Sequence, residues 1–169
     1  METRTERLRI RDLEPGDLEA MVDLWMDPDV ERWMAGFGPR SRSEIERWLP
    51  ETIAFNEASP RESHNCAIVE RETGRVIGWI GFGPRSGTED ELNFGYALLA
   101  SDRGKGYGTE ALQAVIEFCF GVLGVRRFTG ETAAGNDRSA RVMQKVGMQR
   151  TGVYDGQIQF RIDAPAAHG

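Results

Sequence analysis

The segment Arg103-Gly104-Lys105-Gly106-Tyr107-Gly108-Thr109 is the part of this sequence best equipped for chemistry. Three alternating glycines let neighbouring main-chain N–H groups face one point with no side chain in the way. The pattern then turns helical, with Leu112, Val115, Ile116, Cys119 and Val122 at three- and four-residue spacing. A helix mouth adds about half a positive charge, and Arg103 and Lys105 offer cationic contacts. Together these predict an anion cradle that suits a diphosphate. A simple tight turn is the ordinary alternative. No GxxxxGK[ST] motif is present, and the spacing is GxGxG rather than GxGxxG, late in the chain after several strands.

Other reactive side chains are few. With only His64 and His168 and no clustered ligands, no metal site is expected. Cys66 and Cys119 lie far apart among apolar neighbours and read as two buried thiols. Glu91 and Glu131 sit on predicted strands and are the first and second candidates for a general base. For both, a solvated surface carboxylate is the commoner role.

The elements that must hold these groups follow from periodicity. Leu8–Arg11 alternates like a short strand. Pro15 opens a helix, and Asp27-Pro28 caps a second. Ser41 and Glu44 form a capping box before a third, which Pro50 is expected to kink or end. Strands at 64–70 and 75–82 flank a hairpin turn at Thr73-Gly74. The strand 91–99 puts Leu92, Phe94, Tyr96 and Leu98 on one face. Its other face carries Glu91, Asn93, Gly95 and Ala97, polar and then small, as a cleft wall would be. After the glycine-led helix come a strand at 126–132, a helix at 137–146 with Gly147 as its C-cap, and strands at 148–153 and 157–162. This order predicts a mixed α/β (α+β) fold.

These residues also resemble a known family. Arg103, Gly106 and Gly108 form Arg-x-x-Gly-x-Gly after the strand Gly95-Tyr96-Ala97-Leu98-Leu99, which is similar to the acyl-CoA signature of GNAT N-acetyltransferases. The hairpin from Thr73 to Gly81 resembles that family's second and third strands. Glu110-Ala111-Leu112, Asn136-x-x-Ser139 and Lys145-x-Gly147-Met148 resemble the subgroup that contains ribosomal-protein N-terminal (RimJ/RimL-like) acetyltransferases. The resemblance spans Leu8 to Ile162. It implies a GNAT-like fold, with a central twisted, mostly antiparallel sheet splayed between its fourth and fifth strands, and acetyl-CoA or another acyl-CoA in the notch. The pantetheine arm would pair near Leu98 and Leu99, and the diphosphate would rest on the loop from Arg103 through Gly104, Lys105, Gly106, Tyr107 and Gly108 to Thr109. Asn136 would contact the pantetheine arm, cap its helix, or do both.

The resemblance further implies direct attack of a primary amine on the thioester, without a covalent enzyme intermediate. Many family members place an acidic tyrosine seven residues after the motif asparagine. Here that position is Met143, and Ser139 is the candidate substitute for protonating the thiolate. The same departure leaves open a non-catalytic acyl-CoA sensor or scaffold. Trp25, Trp33, Trp48, Phe37 and Phe55 concentrate in the early helices and are expected to be mostly core or helix packing, with a minority lining an acceptor pocket, since the family places acceptor specificity there; the loop 35–39 has a lid's composition.

The remaining properties narrow the class. The 169 residues suit one domain, with 1–7 and 164–169 expected to fray. The composition, 40% hydrophobic and 28% charged, is that of a soluble protein, and the charged start predicts no secretory signal and a cytoplasmic chain. A net charge of -6 argues against nucleic acid and permits cationic acceptors. The expected partner is an amine-bearing small molecule or a protein N-terminus, with no membrane, and the protein a monomer or homodimer.

Overall fold

The computed structural model describes residues 1–34, 36–85, 88 and 91–166. In chain order the elements are β1 (Glu2–Arg4), β2 (Leu8–Asp12), α1 (Leu18–Trp25), α2 (Pro28–Trp33), α3 (Arg42–Glu57), β3 (His64–Glu70), β4 (Val76–Pro84) and β5 (Glu91–Leu98). Then follow α4 (Tyr107–Gly121), β6 (Arg127–Ala133), α5 (Asp137–Lys145), β7 (Gln149–Tyr154) and β8 (Gln157–Asp163). The strands of the described residues form one sheet in the order β1-β2-β3-β4-β5-β6-β8-β7. Every neighbouring pair is antiparallel except β5 and β6.

Both faces of the sheet are covered, so its inner strands read as unbroken apolar runs. In β3, Cys66 and Ile68 join the core under α4, with Leu112, Val115, Ile116 and Cys119. Ala67 and Val69 face the other way, into a core with Leu24, Trp25, Ile45, Leu49 and Trp79. The Asp27 carboxylate accepts from the Asp29 and Val30 N–H groups, and the Ser41 hydroxyl accepts from the Glu44 N–H, but the capping box does not close, because the Glu44 carboxylate takes the Arg40 N–H at 2.7 Å instead of that of Ser41. Gly74, at φ +70°, makes the β3–β4 turn.

Two further expectations are corrected. Pro50 does not end α3, which runs through it to Glu57, because Ile45 and Leu49 before it and Thr52 and Asn56 after it are all buried. The start does not fray. Glu2–Arg4 pairs with Arg9–Arg11, and Glu110, in the first turn of α4, accepts from the Thr5 hydroxyl and from the Arg7 Nε at 2.7 Å. That anchor lies too far along the chain for local pattern to reveal. Near the other end, the Ala164 N–H bonds to the Arg126 carbonyl at 2.9 Å, and 167–169 lie outside the described residues.

Gly130 in β6 is a close-contact position, since a Cβ there would stand 2.4 Å from Phe94 Cε1. Gly130→Val is therefore expected to cost about 1–3 kcal/mol by overpacking, read as a lower urea midpoint. An unchanged midpoint would mean that Phe94 yields at no cost.

Candidate active site

The glycine loop adopts the conformation its residues suggest. Gly104 and Gly106 have φ of +75° and +85°, a region L side chains avoid. Gly106 is the N-cap of α4, with no side-chain cap. The N–H groups of the first turn therefore have no intrahelical partner, and together with the helix dipole they form an anion site. Gly108 lets α4 lie against β5, because a Cβ there would come within 3.2 Å of the Tyr96 ring.

The loop's side chains turn to other partners. Arg103 pairs with Asp27 at 3.1 Å and Asp29 at 3.0 Å, and its Nε donates to the Leu98 carbonyl. Lys105 and Arg75 both reach Asp102, whose side chain is fully buried. The Arg75 guanidinium, bonded to both carboxylate oxygens at 2.8 Å, holds the Asp102 pKa down at about 2. Tyr107 donates its hydroxyl to Glu70, with Arg7 stacked on its ring. Lys105 and Tyr107 thus support the loop from behind, and neither lines the cleft.

The notch is made by an interrupted ladder. β5 and β6 pair only at Glu91–Asn93 with Arg127–Thr129, although β5 continues to Leu98 and β6 to Ala133. Beyond the vertex, where the Thr129 hydroxyl donates to the Leu92 carbonyl at 3.1 Å, the strands part. The β4–β5 register shows which groups they leave unpaired. The N–H groups of Leu99 and Arg85 bond to the carbonyls of Ile77 and Glu91, so the odd-numbered residues of β5 face β4. Antiparallel alternation then points the main-chain groups of Phe94, Tyr96 and Leu98 into the gap, where the Phe94 N–H is taken by Asn93 Oδ1 at 2.8 Å and the Leu98 carbonyl by Arg103 Nε at 3.0 Å. Leu99 does not serve there as expected: its N–H is bonded to Ile77 and its carbonyl to the Asp102 N–H.

A cleft of about 800 Å³ fills the opening, lined among others by Tyr96, Leu98, Arg103, Gly104, Gly106, Gly108, Thr109 and Asn136. An extended chain with an anionic end fits it: polar main chain along β5, an amide-lined helix mouth at the end. Residues 7–149 match the acetyltransferase (GNAT) domain. The chain belongs to the GNAT acetyltransferase family. It is an acyl-CoA-dependent N-acetyltransferase, transferring an acyl group to an amine.

Relatives agree on the fold and differ in what they are named for. The chain is 29% identical over 150 residues to an uncharacterised N-acetyltransferase, p20, of Bacillus licheniformis, covering 88% of this chain and 83% of that one. It superposes with a TM-score of 0.78, at 23% identity, on a putative ribosomal-protein-serine acetyltransferase from Vibrio cholerae, covering 96% and 97% of the two chains. The TM-score is again 0.78, at 15% identity and 94% and 96% coverage, with spermidine N-acetyltransferase from Vibrio cholerae in complex with CoA and spermine. Equal likeness to enzymes named for such different acceptors means that the fold alone does not select the amine.

The structure sorts the candidate catalytic residues of the enzyme. Glu91 shares the face of Asn93 and Gly95 but lies at the closed vertex, off the cleft lining, its carboxylate 3.1 Å from Arg85 and 3.6 Å from Arg127. Glu131 lines the cleft beyond the vertex, is exposed, and accepts from Gln159 Nε2 at 3.0 Å. Ser139 also lines it, its N–H capped by Asn136 Oδ1 at 3.3 Å, so Asn136 is an N-cap that also borders the cleft. Met143 is buried beside them.

Two groups escaped the sequence reading. Tyr96 lines the cleft with Ser139 beside its phenol; burial raises its pKa, with Ser139 and Arg138 opposing. Its place in the apolar alternation of β5 made it look like core. His64 lines the cleft, stacked on Phe82 at 4.6 Å, its Nδ1 without a partner. Burial, aided by Arg61, pushes its pKa down to about 4, so it is neutral at pH 7.

The Asp102 brace makes a prediction about acid stability. Its folded pKa lies below the unfolded value of about 3.9, so its contribution is fully present above that value and is lost as pH falls toward 2. The melting-temperature gap between wild type and Asp102→Asn should be widest near neutrality and should shrink below about pH 4. A gap independent of pH would remove the charge from the account.

Proposed function

We propose that acetyl-CoA is the donor and that transfer proceeds by direct attack within a ternary complex, with this chain's groups in the following roles. The main-chain N–H groups from Gly104 to Thr109 hold the diphosphate. The N–H groups of Tyr96 and Leu98 hold the pantetheine arm, as a neighbouring strand would. Alignment at the vertex supplies the largest share of the acceleration, up to about 7–11 kcal/mol in ideal cases. The observation that carries this reading is the parting of β5 from β6 beside two left-handed glycines at the mouth of α4.

Proton handling falls to Glu131 and to the Tyr96–Ser139 pair. An amine with a pKa of about 8 costs roughly 1.4 kcal/mol to deprotonate at neutral pH, against over about 4 for one near 10.4. Glu131, exposed at the cleft, is suited to accept that proton through water. Tyr96 and Ser139 are suited to return one to the departing thiolate, the role for which Met143 has no proton. Glu91 is left with a structural role, tying Arg85 and Arg127 at the vertex.

Gly106→Glu puts a bulky anion at the cradle and should weaken CoA at least about 100-fold, roughly 2.7 kcal/mol, in calorimetry on folded protein. Retained affinity would contradict the cradle. Tyr96→Phe keeps the ring against Gly108 and removes the hydroxyl. It should lower kcat about 100-fold, as loss of a general acid does, with CoA affinity intact; an unchanged kcat would take the phenol out of the mechanism.

A further inference from the structure

α5 lies against the first turn of α4, where a Cβ on Gly108 would stand 3.8 Å from Val142 Cγ2. Arg138, Arg141 and Lys145 follow one another at three- and four-residue spacing, so they share a helix face with Val142. All three cations border the same cleft as Gly104, Gly106 and Thr109. Against them the nine residues of α5 bring one acidic side chain, Asp137. In a chain whose net charge is -6 this excess is local, and it flanks the glycine loop.

Other cations around the loop already have carboxylates. Arg103 is held by Asp27 and Asp29, Lys105 by Asp102, Arg138 by Asp29 and Arg7 by Glu110. Among the described residues, the side chains of Arg141 and Lys145 make neither an ion pair nor a hydrogen bond, and both residues are exposed. Lys145 stands in the last turn, where the helix dipole favours it. Arg141 is one turn earlier, and like charges at that spacing repel. Two uncompensated charges therefore stand beside a helix mouth that is itself electropositive. The loop amides serve one anionic group, and this pair is equipped for a second.

Coenzyme A carries such a group: beyond its diphosphate, the ribose bears a phosphate monoester with up to about two negative charges. Resting on the donor reading above, we propose that Arg141 and Lys145 form a second phosphate site, which takes the ribose 3′-phosphate while the main-chain amides from Gly104 to Thr109 take the diphosphate. A dianion between the two cations replaces their mutual repulsion with charge-assisted hydrogen bonds. Arginine supplies a planar fork of donors and lysine a point charge. The pair thereby selects intact coenzyme A over carriers that end without this phosphate.

The test is calorimetric titration of the full chain with CoA and with dephospho-CoA, which lacks only that phosphate. Wild type should bind CoA about tenfold or more tighter than dephospho-CoA. The double variant Arg141→Ser, Lys145→Ser should bring the two ligands to within about twofold of each other, by weakening CoA and leaving dephospho-CoA as it was. The exchange Arg141→Lys, Lys145→Arg keeps both charges and should keep most of the preference. Equal binding of the two ligands by wild type would overturn the inference and leave the donor reading standing. A preference that survives loss of both cations, or disappears when they are merely exchanged, would overturn it too. Binding of neither ligand by folded wild type would defeat the donor reading, and the second site with it.

Discussion

Everything in this site depends on a row of main-chain groups that the sheet leaves unpaired. Ordinarily such groups, once buried, are matched, because an orphaned amide or carbonyl costs about as much as a lost hydrogen bond. Here β6 accompanies β5 for three residues and then departs. The main-chain groups of Tyr96 and the Leu98 N–H are left facing a gap that another extended polar chain can satisfy, the Leu98 carbonyl being taken by Arg103. At the same end, α4 begins with glycine at its N-cap and presents unmatched N–H groups to the same gap. In the proposed reading, affinity for an acyl carrier with an anionic tail is the counterpart of two structural deficits placed end to end.

The features legible in the sequence were those determined over a few residues. The left-handed turn at Gly104 and Gly106, the Asp27, Ser41 and Asn136 caps and the Gly74 hairpin all follow from local backbone chemistry, and all are present. Illegible were features set by partners distant along the chain. Alternation assigned Glu91 its correct face but could not say how far β6 stays paired, and that distance decides whether a β5 side chain meets the cleft or the vertex. Tyr96 read as core because only the docking of α5 places it on the cleft lining with Ser139. Pro50 misled because the burial of α3 on both sides of it outweighs one missing hydrogen bond.

The arginine of the motif shows how context redirects a familiar residue. Arg103 stands where a cation beside a phosphate is expected, yet it is held by Asp27 and Asp29 of α2. Asp29 also takes Arg138 of α5, so α2 links the segment after β5 to the helix after β6. Those are the two arms of the open sheet. Only three residue pairs join the arms at the vertex, and this ionic bridge helps set their spacing at the open end. The charge that would otherwise meet the ligand instead helps maintain the width of the cleft that admits it.

A division of labour follows. With Arg103, Lys105 and Tyr107 each engaged elsewhere, the anion cradle is built from main-chain amides and a helix dipole, groups that cannot swing away and need no reorganisation when a ligand arrives. Around it the cleft is lined by side chains, with Trp79, Phe37 and Met34 across β5 and Glu131 on β6. The donor side is fixed by backbone geometry that the family's fold supplies. In the proposed reading the acceptor side is left to side chains, and structures of equal likeness are accordingly named for different acceptors.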